Sequence, residues 1–349
     1  MRSEERGRII VGDARTELAK LPAESVDCCV TSPPYWGLRD YGVDGQLGLE
    51  RTPGEYVAKL VGVFGEVRRV LKKTGTLWLV IGDSYIGGFP RGDKFVGAAV
   101  HTQSAQATRA MSKTSWRRDR APREDDPHKR APGLKPKDLV GIPWRVALAL
   151  QADGWYLRSD IIWHKPNAMF ESCLDRPTRA HEYVFLLAKG RHYDYDRSQA
   201  MEPVAEYERR RREREHVKGL KTRYALKADR PHGQHAPGQT SAKRTAEMRQ
   251  ELAARGTRNR RDVWTIAVQP SKIGHHAMFP EKLAELCVAI GCPPGGTVLD
   301  PFFGAGTTGL AAQALGRRYL GIELNPKYAE MAAERLKREG EKSQGEMTK

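Results

Sequence analysis

Two stretches of the sequence combine residue types that could bind a nucleotide and hold a substrate at the end of a strand. Gly304, Gly306 and Gly309 form a G-x-G-x-x-G pattern between a short apolar run and a helical pattern. Glycines at this point let the backbone approach a ligand at the N-terminus of the helix. Glu323, at the end of the next predicted strand, could accept hydrogen bonds from ribose hydroxyls. The pattern predicts a nucleoside cofactor, NAD included, but excludes a P-loop because no lysine follows the glycines.

The second stretch is Ser32-Pro33-Pro34-Tyr35, which follows the apolar pattern of a buried strand. Proline has no backbone N–H and a fixed φ, so two adjacent prolines would interrupt the hydrogen bonds of a sheet. Each proline also forces the residue before it into an extended conformation. We therefore expect a rigid elbow just after the strand, at the carboxyl edge where doubly wound sheets bind their ligands.

Strand and helix patterns alternate along the rest of the chain, which is typical of a doubly wound α/β sheet. Thr52, Pro53 and Glu55 predict the start of one amphipathic helix, as N-cap, first helical residue and closing residue of a capping box. Strands are predicted at residues 7–13, 25–32, 75–83, 156–166, 182–190, 297–302 and 318–324. Helices are predicted at residues 51–73, 142–154, 280–292, 306–316 and 325–340.

The glycine pattern lies near the end of the chain, with a single strand pattern after it. A dinucleotide-binding domain usually begins with its glycine turn and needs several strands after that turn. Here the sheet has to be completed by the N-terminal strands. The order of the patterns therefore predicts a circularly permuted, doubly wound (Rossmann-like) fold.

Two basic segments interrupt this alternation. The chain carries a formal net charge of +16, to which residues 91–137 contribute +7 and residues 201–262 contribute +8. The first segment has neither helical nor strand periodicity and is predicted to be a long mobile loop, whereas the second combines charged helix and loop. Lysine and arginine that neutralise phosphates release counterions. Two such runs favour a polyanionic partner, with nucleic acid as the leading candidate.

Composition argues against several other classes of protein. The five cysteines form no C-x-x-C pair, and four of them lie in apolar runs. We interpret them as reduced core residues rather than as zinc ligands or disulfides. No apolar run approaches the ~20 residues of a membrane span, and no signal segment precedes the first strand. We expect a soluble intracellular protein with no metal site and no membrane contact.

Five motifs, taken in order along the chain, resemble those of one enzyme family: TSPPYWGLRDYG, GTLWLVIGD, HAMFPEKLAE, VLDPFFGAGTT and GIELNPKY. They are similar to the permuted, beta-type amino-methyltransferases that act on DNA, the cytosine-N4/adenine-N6 DNA methylase family. The resemblance covers most of the chain outside the two basic segments. It implies a permuted sheet that binds S-adenosylmethionine and acts on double-stranded DNA.

The resemblance also implies where S-adenosylmethionine binds. Asp300 and the turn 302–306 would line its methionine half, and Glu323 would hold the ribose hydroxyls. Asp13 would meet the adenine amine, with a strand-end cap as the alternative, and residues 276–282 would close over the amino-acid end. The residues implied to contact the cofactor are Asp13, His276, Phe279, Pro280, Lys282, Asp300, Phe302, Phe303, Gly304, Gly306, Thr307, Glu323 and Asn325. For His276, a packed core histidine is the alternative.

In the implied reaction, the proline elbow holds an exocyclic amine of a base. The lone pair of such an amine is conjugated into the ring, so the enzyme has to accept hydrogen bonds from both N–H groups and draw the nitrogen toward tetrahedral geometry. The Pro33 carbonyl and a Ser32 oxygen would accept them, and Tyr35 would stack on a base flipped out of the duplex. The transfer would be a direct in-line displacement that depends on positioning and electrostatics. The implied catalytic residues are Ser32, Pro33, Pro34 and Tyr35.

Two further residues bear on the chemistry. Asp83, at the end of a predicted strand, is a candidate acceptor for the released proton, with a purely structural aspartate as the alternative. Within the family, Ser-Pro-Pro-Tyr is associated more often with cytosine N4, and Asp-Pro-Pro-Tyr with adenine N6. Ser32 therefore favours cytosine N4, and adenine N6 is the alternative.

The resemblance also suggests how the chain is organised. Residues 1–90 would form the N-terminal half of the catalytic sheet, 91–137 a basic mobile loop, 138–190 the remaining catalytic strands, 191–262 the target-recognition insert and 263–349 the cofactor-binding half. The loop would close around the duplex. We expect the protein in the cytoplasm of a prokaryotic or phage-infected cell, associated with the nucleoid, and a separate restriction endonuclease is left open as a partner.

Three other functions compete with this interpretation. An NAD-dependent oxidoreductase would explain the glycine turn but gives no role to the proline elbow or to the basic segments. A non-catalytic DNA-binding protein would explain only the charge. Methylation of RNA would use the same chemistry, but the sequence contains no separate RNA-binding module in its support.

Overall fold

The computed structural model describes residues 7–86, 131–171, 173–204, 256–269 and 278–347. Most of the basic loop 91–137, residues 205–255 of the second basic segment, and His276 lie outside the described residues. The roles expected for them remain predictions.

The described chain contains six helices and ten strands. The helices are α1 (Ala14–Ala19), α2 (Pro53–Val70), α3 (Ile142–Ala152), α4 (Glu281–Gly291), α5 (Thr307–Ala314) and α6 (Pro326–Met347). The strands are β1 (Gly7–Val11), β2 (Val26–Thr31), β3 (Leu71–Ile81), β4 (Tyr156–His164), β5 (His181–Ala188), β6 (Met201–Pro203), β7 (Thr257–Asn259), β8 (Val263–Thr265), β9 (Thr297–Asp300) and β10 (Arg318–Glu323).

Eight of these strands form one sheet in the order β1-β10-β9-β2-β3-β5-β4-β8. β5 pairs antiparallel with both of its neighbours, and the other pairs in the sheet are parallel. The two C-terminal strands, β9 and β10, lie between the N-terminal strands β1 and β2. This order confirms the permuted, doubly wound sheet that the late glycine pattern predicts.

Helices cover both faces of the sheet. On one face, α1, α2 and α3 contribute apolar side chains to a core with Leu77, Leu79 and Phe185. On the other face, the last turn of α4 approaches the sheet so closely that a Cβ on Gly291 would lie 2.2 Å from Trp78 Nε1. The sheet is therefore buried on both sides, as parallel sheets in α/β proteins are.

The start of α2 follows the sequence pattern more closely than its end. Thr52 Oγ1 accepts a hydrogen bond from the Glu55 N–H at 3.1 Å, but the Glu55 carboxylate accepts from Arg51 rather than from Thr52. The helix was predicted to reach residue 73, and this is wrong: it ends at Val70 and β3 begins at Leu71. Leu71 is fully buried and pairs with β2, so burial in the sheet overrides the helical periodicity.

Several short elements carry no periodic signal and were not predicted, namely α1, β6, β7 and β8. Asp13, predicted as the end of a strand, instead precedes α1 as its N-cap. A strand of three residues is too short to show alternation, and the six residues of α1 complete fewer than two helical turns. No helix of the described segments is long and apolar enough to span a membrane.

The chain divides into two compact units, one formed by residues 1–196 together with 262–349, the other by Arg197–Arg261. The described part of the smaller unit is the antiparallel pair β6 and β7. Glu202 on β6 accepts hydrogen bonds from Arg258 and Arg261, each at 2.8 Å.

A glycine in the sheet tests how tightly the cofactor-side strands are packed. A Cβ on Gly321, in β10, would lie 2.4 Å from Phe303 Cγ, so Gly321→Ala should overpack this contact. We expect the free energy of unfolding to fall by about 1–3 kcal/mol, measured by urea denaturation. Gly65 lies on α2, and a Cβ there would have no atom within 4 Å. Gly65→Ala should instead raise the free energy of unfolding by about 0.5–1 kcal/mol. An unchanged midpoint for Gly321→Ala would contradict this account of the packing.

Candidate active site

The site lies at the carboxyl edge of the sheet, where β2 and β9 end side by side. These strands pair in parallel, with Cys29 opposite Leu299, so their last residues, Thr31 and Asp300, reach the same edge. The proline elbow 32–35 leaves from the first tip and the glycine turn from the second. The structure thus brings the two stretches singled out in the sequence to adjacent strand ends.

The buried carboxylate of Asp300 holds these two tips together. Its Oδ1 accepts hydrogen bonds from Thr31 Oγ1 at 2.6 Å and from the Phe302 N–H at 3.0 Å, and its Oδ2 accepts from Thr308 Oγ1 at 2.7 Å. Burial raises the pKa of Asp300 to about 6, although these three hydrogen bonds oppose the rise. Asp300 therefore joins β2, the turn after β9 and the first turn of α5.

The glycine turn and Glu323 form the second part of the site. Gly304 and Gly306 have φ values of +51° and +78°, in the left-handed region that favours glycine. The Gly304 N–H donates to Glu323 Oε2 at 2.7 Å and the Asn325 N–H donates to Oε1 at 2.9 Å. Burial raises the pKa of Glu323. Each carboxylate oxygen keeps a lone pair for a further donor, so Glu323 could accept ribose hydroxyls.

The proline elbow has two backbone carbonyls, those of Pro33 and Pro34, that differ in their hydrogen bonding. Pro33 is buried and Ser32 is half-buried. Tyr56 Oη donates to the Pro34 carbonyl at 2.8 Å, which ties the elbow to α2. Among the residues that the structure describes, no donor lies within hydrogen-bonding distance of the Pro33 carbonyl. The Pro33 oxygen therefore keeps its lone pairs free of protein donors in this part of the chain, and its expected contact with an amine remains a prediction.

Tyr35 is oriented by a carboxylate from a different strand. Its Oη donates to Glu182 Oε2 at 2.7 Å, while Ser32 Oγ lies 3.5 Å from the same phenol oxygen. The ring packs against Gly82, where a Cβ would lie 2.6 Å from Cε2. Burial, together with the Glu182 carboxylate, raises the pKa of Tyr35 well above its usual range. The phenol therefore remains a neutral donor.

Glu182 and Lys165 belong to the site but were not singled out in the sequence. Glu182 forms a short ion pair with Lys165, and the Lys165 ammonium also lies 4.4 Å from the centre of the Trp163 ring. The pair connects the end of β4 with the start of β5. A charged residue that opens an otherwise apolar strand pattern was the signal that could have identified Glu182.

Residues 36–50 form the loop between the elbow and α2, and hydrogen bonds to Glu50 hold the two ends of this loop together. The buried Trp36 indole donates to the Glu50 carbonyl at 2.9 Å, and the Gly48 N–H donates to the Glu50 carboxylate at 2.8 Å. The ring of Tyr41 meets the ring of Tyr328 on α6 edge to face, with centres 6.3 Å apart. The loop therefore runs from the elbow to the helix that follows Glu323.

Two aspartates with expected chemical roles cap helices. Asp13 Oδ1 accepts from the N–H and the hydroxyl of Thr16, both at 2.9 Å. Asp83 accepts from the Gly141 and Ile142 N–H groups at 3.1 and 3.0 Å, at the start of α3. Its side chain is 2% exposed. This geometry favours the structural alternative for Asp83, and it gives Asp13 a capping role alongside the expected contact with adenine.

Phe303 contributes to packing. Its ring stacks on Tyr319, with centres 5.8 Å apart, and it is 3% exposed. The absence of a side chain at Gly309 and Gly321 makes room for it. The ring of Phe303 therefore holds the glycine turn against the sheet, and the expected contact of Phe303 with the cofactor remains a prediction.

The start of α4 is connected to the glycine turn by an arginine that the sequence patterns did not reveal. Arg335, on α6, forms a short ion pair with Glu281 and donates to the Ala305 carbonyl and Thr307 Oγ1 at 3.0 and 3.3 Å. Pro280 is the N-cap of α4. Two other residues of this segment are expected to contact the cofactor. Phe279 is half-buried, and Lys282 is exposed, with its Nζ 4.0 Å from Glu285 Oε2.

Comparisons with known proteins point to one family. The family model for N6/N4 DNA methylases matches residues 26–334. The type II methyltransferase M.SmaI of Serratia marcescens is 46% identical over 332 residues, which cover 95% of this chain and 91% of the relative. M.Cfr9I of Citrobacter freundii, also a type II methyltransferase, is 43% identical over 328 residues, covering 94% and 87%.

A solved structure agrees with the fold. The protein TTHA0409 of Thermus thermophilus, complexed with S-adenosyl-L-methionine, is 26% identical and superposes with a TM-score of 0.53. The match covers 95% of this chain and 94% of that protein.

The raised pKa of Asp300 predicts how stability depends on pH. The folded state holds this proton more tightly than a carboxyl with the ordinary pKa of 3.8. The stability that protonation contributes is therefore complete below that value and is lost as the pH rises through about 6. Asp300→Asn removes the titration. From about pH 4 to about pH 7, the free energy of unfolding of the wild type should fall by about 2 kcal/mol relative to the variant.

Denaturant unfolding over a pH series measures this difference. Gly65→Ala, which changes no titratable group, should keep the wild-type dependence on pH. If the free energy of unfolding depends on pH in the same way for the wild type and for Asp300→Asn, burial does not raise the pKa of Asp300.

Proposed function

This chain belongs to the N6/N4 DNA methylase family, and from this premise we propose that it methylates the exocyclic N4 amine of cytosine at a specific site in DNA. The methyl donor in the proposal is S-adenosylmethionine. The observation that carries it is the 2.6 Å hydrogen bond from Thr31 to Asp300, because this bond holds the amine-binding elbow beside the cofactor turn.

The residues at the glycine turn fit a cationic nucleoside. Glu323 offers acceptors for ribose hydroxyls, and the left-handed Gly304 and Gly306 let the backbone approach a ligand closely. The buried carboxylate of Asp300 adds a further negative group at the same strand tips. A pyrophosphate would meet acidic groups here, so the site favours S-adenosylmethionine over NAD. The complex of TTHA0409 with S-adenosyl-L-methionine supports the same choice.

The elbow supplies acceptors to the amine. Bound S-adenosylmethionine would supply an electrophilic methyl group: the amine nitrogen would gain an N–CH3 bond as the S–CH3 bond breaks, S-adenosylhomocysteine would leave, and the methylated amine would release its proton to water. In the proposal, the Pro33 carbonyl and a Ser32 oxygen accept hydrogen bonds from the two N–H groups of the exocyclic amine. These hydrogen bonds turn the lone pair of the amine nitrogen out of conjugation with the ring. Tyr35, fixed by Glu182, stacks on the flipped base. These groups act by positioning and electrostatics.

Ser32 supports cytosine rather than adenine as the base. The first elbow position carries a neutral hydroxyl here, and the family resemblance associates Ser-Pro-Pro-Tyr more often with cytosine N4. Adenine N6 remains the alternative within the same family.

The proposal also assigns target recognition to residues 191–262 and closure around the duplex to the basic loop 91–137. The type II methyltransferases among its relatives support a restriction-modification pair with a separate endonuclease.

The modified base is the first test of this proposal. DNA from cells that express the chain should contain N4-methylcytosine at one recurring sequence, identified by mass spectrometry of nucleosides and by long-read sequencing. Cells that express the Tyr35→Ala variant serve as the control and should show much less of it. N6-methyladenine would reverse the choice of base. Unmethylated DNA, combined with binding of NADH in a spectral titration, would overturn the proposal in favour of an oxidoreductase.

Variants of Tyr35 test the elbow. Tyr35→Phe keeps the ring but loses the hydrogen bond to Glu182, so kcat should fall about tenfold. Tyr35→Ala also loses the stacking surface, worth about 1–3 kcal/mol, and kcat/KM should fall by roughly a hundredfold. Both should bind S-adenosylmethionine as the wild type does, measured by calorimetry. Tyr156→Ala, an exposed tyrosine at the opposite end of β4, should keep full activity. Equal rates for all three variants would refute the role of Tyr35.

A further inference from the structure

The connection between β4 and β5 emerges at the same edge of the sheet as the proline elbow. β4 is antiparallel to β5, and β5 is antiparallel to β3, so β4 ends at the edge where β2 and β3 end. Residues on both sides of the connection belong to the site: Lys165 at its start pairs with Glu182 at its end, and Glu182 accepts from Tyr35. The connection therefore begins and ends beside the candidate catalytic elbow.

This connection exposes large apolar side chains. Phe170 is 96% exposed, Leu174 is as exposed as a side chain in an extended peptide, and Met169 is 42% exposed. Single exposed apolar residues are common on protein surfaces, but here three exposed apolar side chains, one of them a fully exposed phenylalanine, lie within six residues of one connection. Such a group at the edge of a candidate active site indicates a contact with the substrate.

The connection is held in place on both sides of Phe170. The Asn167 side chain exchanges two hydrogen bonds with the backbone of Val268, both at 2.9 Å. Arg176 forms a short ion pair with Glu171, and its guanidinium lies 3.8 Å from the centre of the Tyr85 ring. These contacts hold the exposed side chains on an anchored backbone.

The contacts also join the connection to the basic loop. The chain enters the segment 91–137, with its net charge of +7, shortly after Tyr85 and leaves it at Lys137. Tyr85 lies under Arg176, and Lys137 Nζ lies 2.5 Å from Asp175 Oδ2, next to Leu174. Basic residues favour phosphates, and the described residues at both ends of this segment contact the connection that carries the exposed apolar side chains.

We propose that Phe170, supported by Leu174, inserts into the base stack of duplex DNA at the position that the flipped base leaves. This inference rests on the proposed function, because only an enzyme that takes a base out of the duplex creates such a gap. Proteins that distort duplexes insert apolar wedges of this kind between base steps. The aromatic ring of Phe170 replaces the stacking lost by the neighbours of the target base.

A second copy of this chain is the alternative occupant of the apolar group. The position of the group favours DNA, because a dimer contact there would cover the edge at which the base has to enter. Sedimentation of the wild type and of Phe170→Ala at matched concentrations separates these cases. A dimer that dissociates in the variant, with methylation unchanged, would overturn the wedge.

The decisive experiment compares two DNA substrates that contain the site identified by sequencing. One is a fully paired duplex, and the other lacks the base opposite the target, so that less energy is needed to flip the target out. On paired DNA, Phe170→Ala should lower kcat/KM by about tenfold or more, and Leu174→Ala by less. On the abasic duplex, both variants should approach the wild-type rate. Phe170→Trp, which retains an aromatic wedge, should keep most of the activity on paired DNA.

Leu148→Ala is the matched control, because Leu148 is a 54% exposed leucine on α3; it should behave as the wild type on both substrates. An equal loss for Phe170→Ala on paired and abasic DNA, or no loss on either, would overturn the wedge while leaving the proposed function intact. A wild type that methylates neither substrate would instead overturn the proposed function itself. The two failures are therefore distinguishable.

Discussion

The hydrogen bond between the Thr31 hydroxyl and the Asp300 carboxylate is the contact on which the whole site depends. It joins residues 269 positions apart in the chain, and it forms only because β9 returns to lie between β2 and β10. Both partners are buried, and a hydrogen bond to a charged acceptor is stronger than one between neutral groups. The proline elbow and the glycine turn therefore leave adjacent strand tips in a defined relation.

The burial that strengthens this contact also shapes the electrostatics of the edge. Desolvation raises the pKa values of Asp300 and Glu323, and backbone N–H and hydroxyl donors oppose that rise. The two carboxylates therefore lie at neighbouring strand tips, with the oxygens of Asp300 already engaged by Thr31, Phe302 and Thr308. In the proposed function, a cationic cofactor brings positive charge to this edge, and an amine with two N–H groups brings hydrogen-bond donors.

A second set of contacts extends the site along the sheet. Tyr35, Glu182 and Lys165 connect the elbow with β5 and β4, and the same ion pair closes the base of the connection that carries Phe170. The Glu182–Lys165 ion pair thus orients Tyr35, which is proposed to stack on the flipped base, and also joins the two ends of the connection that carries Phe170.

The order of the longer elements, the permuted sheet, the elbow and the glycine turn followed from the sequence alone, because prolines, glycines and periodic apolar residues constrain the backbone through local geometry. Only the tertiary structure decided that Leu71 belongs to a strand, that Asp83 caps a helix, and that Glu182 and Arg335 complete the site. Each of these outcomes depends on which distant residues become neighbours. Pairing across strands and burial between layers set those neighbours, and no spacing along the chain records them.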